Sequence, residues 1–107
     1  MQCAKNKFLI TSDFPVVELW ADLPNGDNRL VRCFAKSPEI LVLLWGDGMP
    51  EPKFPIAIED YFNAMVWAVA DKFVYSHRND VPMKKLKEIA QDFDMSPVEE
   101  TIAFCVG

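Results

Sequence analysis

Ile58 to His77 reads IEDYFNAMVWAVADKFVYSH, a long apolar run whose spacing is helical. At about 100° per residue, Tyr61, Phe62, Met65, Val66, Val69 and Phe73 fall on one broad arc, while Glu59, Asp60, Asn63 and Asp71 gather on the other. The pattern predicts a single long amphipathic helix with a wide buried side. Its polar arc also carries Trp67 and Val74, seven residues apart, where a solvated helix would place charge. A second cover over that arc is therefore expected, from the C-terminal helices or from another chain.

Working outward, the residues before this run read as short strands separated by turns. Phe8–Ile10 is a candidate first strand, broken by Ser12-Asp13-Phe14-Pro15, because proline donates no ladder hydrogen bond and restricts the residue before it. Val16–Asp22 mixes β-branched and aromatic residues and resumes an extended course. Leu23-Pro24-Asn25-Gly26-Asp27-Asn28 follows, and Asn-Gly tolerates the positive φ angles of a hairpin turn. Arg29–Lys36 is the expected return strand, antiparallel to Val16–Asp22. Ser37-Pro38 turns the chain again into Glu39–Trp45, whose apolar run ends at Gly46 and is short for a helix. Alternation puts Ile40, Val42 and Leu44 on one face of that strand and Leu41, Leu43 and Trp45 on the other, so both faces need cover. Met49–Pro55 is a stiff, proline-rich connection to the long helix.

After the long run, Ser76–Pro82 is a polar break. Asp80 is the expected N-cap, with Pro82 in the first turn of a helix over Met83–Phe93. Ser96 and Pro97 repeat the device, predicting a last helix that runs to about Cys105. The fold class is α+β: a three- or four-stranded antiparallel β-meander, one long helix and two short C-terminal helices, in a single domain over residues 1–107.

The chain has 107 residues, 50% of them hydrophobic, enough for one core without staples. A net charge of −5 and an isoelectric point near 4.7 argue against wholesale phosphate binding. Cys3, Cys33 and Cys105 are an odd number and far apart, which suits reduced, mostly buried thiols. No apolar run reaches the roughly 20 residues of a membrane span, and Phe8–Ile10 is shorter than the roughly 7–15 residues of a signal-peptide core. A cytoplasmic protein is expected.

No catalytic motif emerges. His77 stands alone, so a two-histidine metal site is excluded, and the cysteines lack close metal-ligand spacing. His77 is expected to cap the end of the long helix. Glu59-Asp60 and Glu99-Glu100 are adjacent pairs that diverge by about 100° on a helix and cannot grip one atom together. The loop Gly46–Glu51 lacks both calcium-loop spacing and a phosphate-binding glycine pattern. No cofactor is expected.

Leu86–Phe104, LKEIAQDFDMSPVEETIAF, resembles a helix-turn-helix in its first half, with Leu86, Ile89, Ala90 and Phe93 on one side of a helix before a tight turn. Glu100 falls where that motif has a buried aliphatic residue, and Asp94 replaces the usual turn glycine. The second helix would carry Glu99 and Glu100 and no lysine or arginine. Three functions are thus expected in order. The first is a non-enzymatic protein-interaction module, homodimeric or bound to a larger partner, with Trp67, Val74, Leu41, Leu43 and Trp45 as interface residues. The second is a DNA-binding regulator using residues 83–104. The third is a small-molecule-binding domain with an aromatic pocket between sheet and helix.

Overall fold

The computed structural model describes residues 1–24, 26–44, 52–70, 73–78 and 80–93, together with the backbone of 103–106. The elements in chain order are β1 (Thr11–Ser12), β2 (Val17–Asp22), β3 (Asn28–Ser37), β4 (Ile40–Leu44), α1 (Ile58–Val69), β5 (Phe73–Ser76), α2 (Met83–Asp92) and β6 (Ala103–Val106). The class is α+β, as expected.

The meander forms as a three-stranded antiparallel sheet, β2-β3-β4. Val17 faces Cys33, Leu19 faces Val31 and Asp22 faces Asn28, so the hairpin closes between Asp22 and Asn28. Gly26 takes φ +90° there and its N–H donates to the Leu23 carbonyl at 3.0 Å. That conformation favours glycine because it has no Cβ. β3 and β4 pair with an irregularity between Ala35 and Ser37.

Phe8–Ile10 is not a strand. Pairing begins one residue later, at β1, and β1 joins β5 rather than the meander. Leu9 and Ile10 are nonetheless buried, and the Ile10 N–H donates to the Asn63 side chain at 3.0 Å. A side-chain partner on α1 thus replaces a ladder partner at that position.

The long helix over Ile58–His77 divides into two elements. α1 begins with Glu59 and Asp60 in its first turn, where negative charge suits the helix dipole. It ends at Ala70, which is extended at φ −61° and ψ 136° while its N–H still bonds Val66 O at 3.1 Å. Phe73–Ser76 then forms β5, the middle strand of a second sheet ordered β1-β5-β6. Its burial alternates, with Val74 and Ser76 inside and Phe73 and Tyr75 outside. Aromatic and β-branched residues favour the pleated state where neighbours pair on both sides, and that pairing overrides the helical spacing.

α2 forms where expected, but Asp80 does not cap it. The N-cap is Pro82, without a side-chain cap, and Asp80 pairs with Arg78 instead. The expected last helix is corrected at its end: Ala103–Val106 runs parallel to β5, Val74 opposite Phe104. A parallel pair needs a crossover connection, and α2 lies within it. Ser96–Ile102 fall outside the described residues, and two helices occur among those described.

One core ties these parts together. The inner face of the meander, with Val17, Leu19, Val31, Cys33 and Leu41, clusters with Tyr61, Phe62 and Val66 of α1, Val74 of β5 and Leu86 of α2. Tyr61 stacks on Phe93 at 4.9 Å, and its hydroxyl accepts the Trp20 backbone N–H at 3.3 Å.

Candidate interaction surface

Strict alternation along β2 buries Val17, Leu19 and Ala21 and turns Glu18, Trp20 and Asp22 outward. The hairpin register then decides what meets them. Trp20 lies opposite Leu30, Glu18 opposite Arg32, and on the other flank Arg32 opposite Leu44 and Phe34 opposite Val42. Trp20, Leu30 and Leu44 are 54%, 48% and 53% exposed, and Val16 just before β2 is exposed as well. Phe34 and Val42 are half-buried. At the centre, the Arg32 Nε sits 3.6 Å from Glu18 Oε1.

An antiparallel sheet with one solvated face ordinarily turns polar side chains to water. This sheet turns an apolar surface outward around the Glu18–Arg32 ion pair, the kind of patch that marks association. Each edge is capped at one end. Asp22 exchanges backbone hydrogen bonds with Lys53 at 2.7 and 3.1 Å along β2, and the Leu41 and Cys3 N–H groups bond Met1 O and Glu39 O along β4. A capped edge is a poorer template for strand addition over that stretch.

The residues expected to form an interface lie elsewhere. Trp67 is 8% exposed and Val74 is fully buried, both within one chain. They occupy different elements, so the shared helical arc that motivated them does not exist. Leu41 is buried and Leu43 half-buried on the inner face, opposite Ala35 and Cys33. The apolar residues of β4 that turn outward are Ile40, Val42 and Leu44. Trp45 lies outside the described residues.

A second cluster joins the N-terminal segment to both helices. Lys7 Nζ donates to the Asp60 carboxylate at 2.9 and 3.1 Å, and Lys85 Nζ reaches the same carboxylate at 2.9 Å. Burial works to raise the Asp60 carboxyl, but the hydrogen bonds and charges of the two lysines outweigh it and hold it below its ordinary value. The hydrogen bond to Asp60 raises Lys85 in return. A cavity of about 150 Å³ opens beside them, lined by Asn6, Lys7, Phe8, Asp60, Asn63, Pro82 and Lys85. Ligand pockets typically run to about 300 Å³ and more. No tryptophan or tyrosine lines this one, and it does not lie between sheet and helix as expected for an aromatic pocket.

No family model, curated protein or solved structure matches this chain.

The remaining candidates for chemistry are occupied structurally. Glu59 is buried and accepts the Ala4 N–H at 3.0 Å. His77 follows β5 rather than ending a helix, its ring edge-on to Phe8 at 5.4 Å. Burial pushes the Cys33 thiol up to about 12. Cys3 is also raised, first by burial and then by the Glu59 charge. Among the described residues, no group of three or more His, Cys, Asp or Glu is placed to hold a metal ion, and no helix is long and apolar enough to cross a membrane. Glu99, Glu100 and the loop 46–51 lie outside the described residues. For the DNA reading, Lys85 is engaged with Asp60 and the stretch ends in strand β6, while the rest of its expected recognition helix lies outside the described residues.

Reading the strands one at a time missed Trp20 and Leu30. The signal was present: Trp20 breaks the parity of Val17, Leu19 and Ala21, and the Asn-Gly turn carries its row across to Leu30.

Proposed function

We propose that the chain is a non-enzymatic protein-interaction module whose contact surface is the outer face of β2-β3-β4. The observation that carries this reading is the row formed by Trp20 and Leu30, both about half exposed and directly opposed on adjacent strands. Tryptophan is enriched at protein interfaces because it combines a large apolar surface with a polar edge. Each sheet edge is capped at one end, and a partner on this face meets side chains rather than backbone.

Trp20→Glu tests the reading. The wild-type chain, immobilised in an extract of its own source, retains a protein, either itself or another. Trp20→Glu keeps the circular dichroism spectrum and melting midpoint and retains nothing. Equal retention by both chains, or no retention by either, would overturn the assignment.

A further inference from the structure

We infer that the occupant of the outer sheet face is a second copy of this chain, packed sheet on sheet about a two-fold axis parallel to the strands and between β2 and β3; this rests on the interaction reading above. The register makes the face self-complementary. Glu18 and Arg32 are direct neighbours across β2 and β3, and so are Trp20 and Leu30. A dyad along that seam exchanges the two strands. Glu18 then stands over the partner's Arg32 and Trp20 over the partner's Leu30, each twice. Aligned sheets pack about 10 Å apart, within reach of these side chains.

The charge of this face, unlike that of the whole chain, is compatible with a like partner. The chain as a whole carries −5, so two copies repel over most of their surfaces. The outer ladder positions carry Glu18, Asp22 and Arg32, with Lys36 exposed at the irregularity of β3. Two acidic groups and one basic group at ladder positions leave this face near balance, far from the acidic excess of the chain as a whole. Within one copy the Glu18–Arg32 contact is loose, at 3.6 Å, with side chains 45% and 70% exposed. Across the dyad each carboxylate gains a second guanidinium, and the four groups alternate in sign. Isologous contacts of this kind are the commonest mode of self-association. Three short strands form a small face beside the roughly 800 Å² per partner of a standard interface, so the dimer dissociates on dilution.

The test exploits that symmetry. Sedimentation of the wild type shows a mass that doubles as concentration rises. Glu18→Arg sets two guanidinium groups against each other, the introduced one and that of the partner's Arg32. Arg32→Glu likewise opposes its new carboxylate to the partner's Glu18. Each variant alone needs at least about tenfold more protein to associate. An equimolar mixture restores association, because the two changed faces complement each other. Circular dichroism verifies that both variants fold, as these exposed positions allow. A wild type that stays monomeric at every concentration, variants that dimerise undiminished, or a mixture that fails to recover would each overturn the inference. If the wild type is monomeric but retains a different protein through Trp20, the second-copy inference falls and the interaction reading stands. If it retains nothing, both fall.

Discussion

The two faces of the β2-β3-β4 sheet are built from the same six to ten residues per hairpin strand, and both are rich in apolar side chains, yet they have opposite fates. Leu19 and Val31 are opposed on the inner face and fully buried beneath α1; Trp20 and Leu30, one residue along, are opposed on the outer face and half exposed. Hydrophobic content therefore does not distinguish core from exposed surface here. What distinguishes them is whether the chain supplies its own cover. The inner face has α1, held in place by side-chain bonds to the N-terminal segment. The outer face leaves Trp20, Leu30 and Leu44 about half exposed around the Glu18–Arg32 pair.

The sharpest way to break the comparison is a charge on the inner face. Leu19→Asp places an unpaired carboxylate in a dry core and costs about 4 kcal/mol or more, so thermal denaturation loses its cooperative transition. Next in size is the fastening of α1. Asn63 accepts the Ile10 N–H at 3.0 Å and donates to Phe8 O at 2.9 Å. Asn63→Ala leaves the buried Ile10 N–H and the partly buried Phe8 carbonyl without that partner, and urea unfolding should show a loss of about 1–3 kcal/mol.

Asp60→Asn is milder, about 1 kcal/mol, because Lys7 and Lys85 are partly solvent-screened. Its signature lies in pH. The Asp60 carboxyl is held below its ordinary value, so its contribution is complete above the unfolded value of about 3.9 and is lost as pH falls through the lower folded value. The wild-type melting midpoint should fall across that acid window more steeply than that of Asp60→Asn. Smallest of all is Leu30→Ser on the outer face, expected to move the melting midpoint by less than about 0.5 kcal/mol equivalent while weakening association.

The hairpin was legible because its determinants are local. An Asn-Gly pair marks the turn, and β-branched and aromatic residues on either side mark the strands. The break after Val69 was not legible, since Ile58–His77 keeps helical spacing to its end. What makes Phe73–Ser76 a strand is pairing with Thr11–Ser12 and Ala103–Val106, and those partners lie far away in sequence. The same long-range dependence reassigns Trp67 and Val74. Once they sit on different elements, each is covered by its own chain, and neither needs a second one. For β4, alternation separated Leu41 and Leu43 from Val42 and Leu44, but which pair faces in depends on where α1 packs. An excess of apolar surface was readable from the sequence; its location on Trp20, Leu30 and Leu44 required the register.

Hydroxyl-radical footprinting of the wild-type chain, read residue by residue by mass spectrometry at low and high protein concentration, tests the central claim most directly. Trp20 and Leu30 should be oxidised in dilute protein and protected together when concentrated, while buried Phe62 stays unlabelled throughout. Equal labelling of Trp20 and Leu30 at both concentrations would contradict the assignment of the outer sheet face as the surface on which this chain meets its own copy.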